Sequence, residues 1–374
     1  MTHPIPAARD GREPTLLQFT VKRFSASVLP YVAWALVGLS ACRKEAETGV
    51  VPQLPAAATF RNPILPSGPD PWVIRQDGYY YYTSTAGNRL VIRKTPALSR
   101  LGEAEAKTVW TPPATGPNAQ HLWAPELHFL DGKWYVYYTA GAGVGLETQR
   151  TWVLENPAAD PTTSVWTDKG KIAHPTEDYW AIDGTVFEQK GVRYFLWSGY
   201  ATPADVTQRI YIARMSNPWT LTGPRTQLSA PDYGWETAGY PDVNEGPQIL
   251  EHDNSRCLVY SAGGCWTDDY ALGVLTMNRA DDPLDAAAWT KSATPVFTKN
   301  PEGGAYGPGH CSFFQSPDGT EDWILYHANP RAGLDCGDFR SPRMQPFTWR
   351  ADGTPDFGRP VPINTAIRRP AGES

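Results

Sequence analysis

Three carboxylates and a histidine recur at one position of a repeated pattern. Asp70 opens Asp-Pro-Trp-Val-Ile, Asp183 sits within Trp180-Ala-Ile-Asp-Gly-Thr-Val-Phe187, Glu245 opens Glu-Gly-Pro-Gln-Ile-Leu and His310 opens His-Cys-Ser-Phe-Phe. A fifth copy, Ala124-Pro-Glu-Leu-His-Phe, carries alanine there. A single acid before an apolar strand is ordinarily a turn or capping residue, because carboxylates sit mostly at the surface. Three at one repeat position imply something else if the copies converge. Like charges in one small volume raise at least one pKa, leaving a protonated and an ionised carboxyl side by side near neutral pH. That is a general acid beside a general base.

The elements that must position them are short hairpins. Each apolar run is followed by a turn and a second strand, as in Asp77-Gly-Tyr-Tyr-Tyr-Tyr-Thr, Asp131-Gly-Lys-Trp-Tyr-Val-Tyr-Tyr-Thr and Asp318-Gly-Thr-Glu-Asp-Trp-Ile-Leu-Tyr. The copies repeat about every 54 to 65 residues, the period of a propeller or array. A third strand often closes on proline, at Pro96, Pro157 and Pro218, and a fourth, edge-like strand carries Trp110, Trp166, Trp219 or Trp289. Four strands per copy predict an all-β, five-bladed β-propeller over residues 60–368, with the innermost strands lining a central channel. The fifth copy is irregular after Tyr326, and Phe60 to Leu65 is the segment expected to complete the last blade.

Composition agrees with strands and turns: 18 Tyr, 15 Trp, 33 Gly and 36 Pro, with charged residues at 19%. A net charge of -6 without a basic run argues against nucleic acid as a partner. Lys22 and Arg23 precede the apolar run Val28–Leu39, too short to span a bilayer comfortably. Residues 1–42 therefore read as an export signal, with residues 43–59 as a polar linker. Leu39-Ser-Ala-Cys42 resembles a bacterial lipoprotein cleavage box, which implies a lipid anchor on Cys42 and a place at the cell surface or periplasm; an ordinary cleaved signal is the alternative. The remaining cysteines, Cys257, Cys265, Cys311 and Cys336, allow three disulfide connectivities that sequence does not rank, or free buried thiols.

A protonated and an ionised carboxyl are what glycoside hydrolysis requires: the acid protonates the leaving oxygen while the base activates water on the opposite face of the sugar. Trp72, Trp123, Trp180 and Trp266 would suit such a substrate by stacking on apolar sugar faces, or else they serve blade packing. Glu126, two residues beyond the aligned position, would face the channel again by strand alternation, in a supporting role. His310 is either a structural residue or a hydrogen-bond donor or water-mediated metal contact beside the site.

Taken in order, Asp70-Pro, Trp123-Ala-Pro-Glu, Ile182-Asp-Gly-Thr-Val-Phe, Asn244-Glu-Gly-Pro and Gly309-His310 resemble glycoside hydrolase family 43, over residues 60 to 360. The resemblance implies Asp70 as general base, Glu245 as general acid and Asp183 as the residue that tunes and orients that acid. It also implies inversion at the anomeric carbon by a single displacement, with carboxylates roughly 6.5 to 9.5 Å apart. Ser261-Ala-Gly-Gly-Cys-Trp-Thr-Asp-Asp-Tyr-Ala-Leu-Gly and Arg340-Ser-Pro-Arg-Met-Gln-Pro-Phe-Thr-Trp are most similar to exo-acting α-L-arabinofuranosidases. On this reading Trp123, Trp180, Trp266 and Arg340 bind substrate, Arg340 through a hydroxyl. No cofactor is required for the chemistry. His310 is implied to hold a Ca2+ or Na+ ion through water, although Cys311 stands where a small polar residue is expected. The expected partner is a plant cell-wall polysaccharide or oligosaccharide, arabinan or arabinoxylan. β-D-Xylosidase and endo-arabinanase activities are the rivals within the family, and a non-catalytic carbohydrate-binding propeller is the rival of another class.

Overall fold

A computed structural model describes residues 58–373 except 144 and 164. The expected signal, residues 1–42, and the linker up to residue 57 lie outside the described residues. The first strand is β1 (Thr59–Phe60). Five four-stranded antiparallel sheets follow, each strand beside its sequence neighbour. Blade one is β2 (Trp72–Gln76), β3 (Tyr79–Thr83), β4 (Leu90–Thr95) and β5 (Ala106–Trp110). Blade two is β6 (Gln120–Leu130), β7 (Lys133–Gly141), β8 (Arg150–Asn156) and β9 (Thr167–Ile172). Blade three is β10 (Ala181–Gln189), β11 (Val192–Gly199), β12 (Arg209–Asn217) and β13 (Thr220–Ser229). Blade four is β14 (Asn244–His252), β15 (Ser255–Ala262), β16 (Ala271–Asn278) and β17 (Thr290–Lys291). Blade five is β18 (Tyr306–Gln315), β19 (Asp322–Asn329), β20 (Ser341–Trp349) and β21 (Pro355–Asp356). A last strand, β22 (Ile367–Arg368), pairs antiparallel with β1. This is the expected five-bladed β-propeller. Among the described residues helix is confined to three short 3-10 segments, and no helix is long and apolar enough to cross a membrane.

The hairpins form where the sequence supplies positive φ. Asp77–Gly78, Asp131–Gly132 and Lys190–Gly191 adopt φ of 51° and 81°, 51° and 75°, and 51° and 75°, as a two-residue type I′ turn demands at both centres. The second strands are apolar on both faces, and β7 is buried from Trp134 to Gly141, because each blade is covered by a neighbour on either side. Five apolar cores result, each shared by adjacent blades. Leu127, Trp134 and Leu90 fill the space between blades one and two, and Tyr137, Phe195 and Tyr211 that between two and three. Leu196, Leu258 and Tyr260 join three to four, and Val259, Ile324 and Tyr326 join four to five.

The fifth core, with Val73, Tyr80, Trp323 and Leu325, closes the ring between blades five and one. Here the expectation for Phe60 to Leu65 is corrected. Blade five owns its fourth strand, β21, whereas the N-terminal stretch makes a clasp. β1 pairs with β22, and the chain then runs along the part of β20 that the short β21 leaves bare. The Asn62 side chain accepts from Met344 N–H at 3.0 Å and donates to Met344 C=O at 2.9 Å. Ile64 N–H donates to Pro342 C=O at 3.0 Å.

Candidate active site

Four of the five innermost strands carry the same irregularity near their start. In β6 the pairing steps from Trp123↔Thr139 to Glu126↔Tyr137, three residues against two. β10 steps from Ile182↔Ser198 to Thr185↔Leu196, β14 from Glu245↔Ser261 to Gln248↔Val259, and β18 from Gly309↔His327 to Ser312↔Leu325. Each is a β-bulge with one unpaired residue, and the residue at its start is left-handed: Ala124, Asp183, Gly246 and His310, with φ of 44°, 54°, 56° and 45°. Asp70, two residues before the Trp72↔Thr83 pair, has φ 56° and completes the set. A bulge re-aims a side chain that regular pleating would turn away, and left-handed backbone in non-glycine residues concentrates at functional sites.

The expected alignment is therefore out by one in blade four. The left-handed position there belongs to Gly246, and Glu245 lies one residue earlier, in register with Trp123 and Ile182. Matching by side-chain chemistry selected the carboxylate, while the backbone places the glycine. The two layers still converge. Asp70, Asp183 and His310 from the bulge layer, and Trp123, Ile182 and Glu245 from the layer before it, line one cavity of about 600 Å3.

Each bulge N–H has left its own ladder and is taken by a neighbour. Ala124 donates to Thr85 Oγ1 at 2.8 Å, Asp183 to Thr139 Oγ1 at 3.2 Å and His310 to Ser261 Oγ at 2.8 Å. Asp70 donates to His327 Nδ1 at 3.0 Å. In blade four the acceptor is a carboxylate: Gly246 N–H donates to Asp183 Oδ2 at 3.0 Å, tying the two acid-bearing strands together.

The buried carboxyls are driven in opposite directions. Burial, the largest single influence, would raise Asp70, but the groups around it together outweigh burial, first among them Arg340, its Nη1 donating to Oδ1 at 2.8 Å. His310, His327 and the Thr85 hydroxyl, 2.6 Å from Oδ2, add to this, and the carboxyl is held well below the usual range. Glu245 is pushed up to about 7 by burial, with Asp70 adding to the rise. Opposing it, the Tyr270 hydroxyl donates to Oε1 at 2.8 Å and Arg340 acts in the same sense. Asp183 is raised well above its ordinary value by burial and then by the charges of Glu245 and Asp70. Asp183 and Glu245 thus titrate as a pair that keeps a proton near neutral pH. Burial lowers both His310 and His327, leaving them neutral there.

Trp123, Trp180, Trp266 and Arg340 all line the cavity. Trp180 is stacked on Tyr200 at 4.4 Å and 9°, its indole N–H on Leu146 C=O at 2.8 Å. Trp72 is not in the site. It packs on His128 and donates to Leu127 C=O at 2.8 Å, between blades one and two. It borders another cavity, of about 670 Å3, at the far ends of the inner strands. Glu126 lies buried outside the cavity, bonded to Gln248 and to His128 Nε2 at 3.0 Å. Cys311 faces the apolar core between blades four and five, so it takes no part in an ion site.

Asp183, Glu245 and His310 each offer one ligand atom, all within 4.8 Å of one another. The two carboxylates already accept from Gly246 and Tyr270, and a hard cation such as Ca2+ wants six to eight oxygens. These three residues alone do not supply the direct ligands of such an ion.

Several site residues escaped the sequence. Thr85, Tyr270, His327, Asp338 and the Cys265–Cys336 disulfide all belong to the site or its wall. One signal was available. Thr139, Ser198, Ser261 and His327 lie near the end of each second strand, opposite the residue before the bulge, and Thr85 stands just past the end of β3, a polar column as regular as the acidic one. Tyr270 has no repeat partner to reveal it.

A model of the family described as Glycosyl hydrolases family 43 matches residues 60–355. An extracellular exo-α-(1→5)-L-arabinofuranosidase of Streptomyces avermitilis is 41% identical over 352 residues, covering 92% of this chain and 71% of that protein. One of the same description from Streptomyces chartreusis is 40% identical over 284 residues, 75% and 85% of the two chains. The crystal structure of an α-L-arabinofuranosidase from Lactobacillus brevis superposes with a TM-score of 0.77 at 38% identity, over 82% of this chain and 98% of that one.

Proposed function

The chain belongs to glycosyl hydrolases family 43 and is a glycosidase, and from that premise we propose that it releases L-arabinofuranose from arabinan or arabinoxylan, acting from chain ends or side chains by a single inverting displacement. The substrate reading is supported by the arabinofuranosidase relatives near 40% identity. The observation that carries the chemistry is the opposed surroundings of Asp70 and Glu245 in one cavity, Arg340 and Thr85 on the first and the Tyr270 phenol beside a second carboxyl on the other. Asp70, kept ionised by Arg340 and Thr85, takes a proton from water as its oxygen bonds to the anomeric carbon. Glu245 gives its proton to the glycosidic oxygen as that bond breaks. Asp183, fixed by Gly246 N–H, keeps the shared proton available to Glu245. Trp123, Trp180 and Trp266 offer ring faces to the sugars, and Arg340, besides holding Asp70, receives a sugar hydroxyl.

Two relatives are described as extracellular, and a disulfide belongs to an oxidising compartment. Both support export of this chain, with residues 1–42 as signal, residues from 43 up to the start of β1 as linker and Cys42 as lipid anchor. Radiolabelled palmitate incorporated by the natural chain and lost in Cys42→Ala would bear out the anchor; label in neither removes it. A Ca2+ or Na+ held through water at His310 completes the reading as a structural element. Dialysis against a calcium chelator in sodium-free buffer should then lower the melting temperature, and an unchanged melt removes the ion.

Asp70→Ala and Glu245→Ala should each lose at least about 100-fold in kcat/KM on arabino-oligosaccharides. Only Glu245→Ala should recover on a dinitrophenyl arabinofuranoside, whose leaving group needs no proton. Full activity in either variant on the oligosaccharide sinks the assignment. Faster release from nitrophenyl xyloside than from nitrophenyl arabinofuranoside would turn the enzyme into a xylosidase, and short oligomers from debranched arabinan into an endo-arabinanase. Binding of the oligosaccharide without any product would leave a carbohydrate-binding propeller.

A further inference from the structure

Tyr270 immediately precedes β16 and is almost completely buried. Its hydroxyl donates to Glu245 Oε1 at 2.8 Å, and its ring is fixed on two sides. The His327 imidazole stacks parallel to it, centroids 5.8 Å apart at 8°. Across from the ring lies the backbone of Gly309, where an added Cβ would overlap Tyr270 Cε1 and Cδ1. The neighbouring Gly307 is left-handed, with φ 54°, and a Cβ there would sit 3.5 Å from the tyrosine Cβ. The Gly-Pro-Gly run before His310 thus makes a flat bed for this ring.

We infer that Tyr270 is a positioning residue for the acid step: by occupying Oε1 of Glu245 it confines the transferable proton to Oε2. This rests on Glu245 being the acid. A neutral carboxyl has one protonated oxygen and one carbonyl-type oxygen, and the one that accepts the phenol hydrogen bond is the carbonyl type. The contact does more as the reaction proceeds. When the proton leaves for the glycosidic oxygen, charge appears on Glu245, and a neutral hydrogen bond becomes a charge-assisted one. An interaction that strengthens toward the transition state raises kcat rather than merely tightening binding. The phenol itself does not ionise, because burial and the adjacent Glu245 charge hold its pKa far above neutrality. The other charged or titratable groups that act on or face Glu245 are Asp183 from blade three, Asp70 from blade one, and His310 and Arg340 from blade five. Arg340 acts on Glu245 through its charge, its Nη1 being on Asp70, and among the described residues the hydrogen bond to the Glu245 carboxylate comes from Tyr270, its dedicated donor.

The test is Tyr270→Phe, which keeps the ring between His327 and Gly309 and removes only the oxygen. On arabino-oligosaccharides kcat should fall roughly 10- to 100-fold with KM little changed. On dinitrophenyl arabinofuranoside it should stay near the natural enzyme. The alkaline limb of kcat/KM should also move to higher pH, because the bond that favours ionised Glu245 has gone. A packing role alone would lower both substrates alike and leave the limb in place. Gly309→Ala, which keeps the hydroxyl but displaces the ring, should give the same dependence on leaving group. Glu245→Gln separates the two levels of the argument. If that variant stays active on oligosaccharides, the acid assignment itself fails. If it loses that activity while Tyr270→Phe shows neither the leaving-group dependence nor the shifted limb, only the inference about Tyr270 is overturned.

Discussion

Asp70 and Glu245 are both buried carboxyls, and partners separate them: Asp70 has a guanidinium and two imidazoles, Glu245 a phenol and a second carboxyl. Two consequences follow at this scale. Activity should fall as the shared proton is lost, with an alkaline limb in kcat/KM near pH 7, set by Glu245 at about 7. Asp70 is still ionised well below its usual range, so it sets no acid limb above about pH 4. A rate that stays flat to pH 9 would contradict this. The second consequence is for stability. A carboxyl whose pKa is raised by folding binds its proton more tightly in the folded chain, so it costs nothing at low pH. It destabilises the fold increasingly as pH rises above the unfolded value near 4.5 toward the folded value of about 7. Glu245→Gln should therefore stabilise the protein at pH 8, by an amount on the order of 3 kcal/mol, and leave it nearly unchanged at pH 4; urea melts at the two pH values measure the difference. Asp70 has the opposite sign, its stabilisation being lost only as pH falls through its depressed value. The acids were legible because they repeat. Tyr270 was not, because nothing in Asp-Asp-Tyr-Ala-Leu distinguishes a tyrosine that meets Glu245 from one that packs a blade.

The bulge is the element that turns a sheet edge into a site. It sets four backbone positions in the left-handed region at the start of the inner strands, a conformation Asp70 shares just before β2, and strand alternation does not reveal it because alternation says nothing about an inserted residue. That is why Glu245 was placed in Gly246's column. Gly246→Ala would bring a Cβ to 3.3 Å from His310 Nδ1 at φ 56°, straining the backbone and pressing on the ring that neighbours Asp70 and Asp183. Loss of at least about tenfold in kcat, with the melting temperature lowered, is expected; natural activity would show that the bulge has slack. The wall of the cavity depends on a second element, the Cys265–Cys336 bridge, whose separation of 71 residues spans loops of blades four and five. Sequence could not choose this pairing among three, since closeness of the loops follows from ring geometry. Cys265→Ser with Cys336→Ser should cost about 2 to 4 kcal/mol in a denaturant melt and reduce kcat/KM by freeing the loop that brings Arg340 to Asp70. A cost below measurement would mean that packing alone holds the wall.

At the scale of the molecule, five similar hairpins must close a ring, and closure is where the sequence reading was weakest. The repeat count and four-strand blades were plain from the Asp-Gly turns and the tryptophan edges. The clasp was not, because Thr59–Phe60 and Ile367–Arg368 are too short to carry a periodicity. Asn62 holds this closure through both of its side-chain polar atoms on Met344. Asn62→Ala would strand two buried backbone groups and should destabilise the fold by about 2 to 4 kcal/mol without altering kcat in the surviving folded fraction.

The ring exists, on this account, to bring an ionised Asp70 and a protonated Glu245 to opposite faces of one anomeric carbon. Proton NMR of the sugar first released from an α-L-arabinofuranoside tests that directly. A single displacement releases β-L-arabinofuranose, appearing before mutarotation mixes the anomers. The α-anomer as first product would mean a double displacement through a glycosyl-enzyme, and would contradict it.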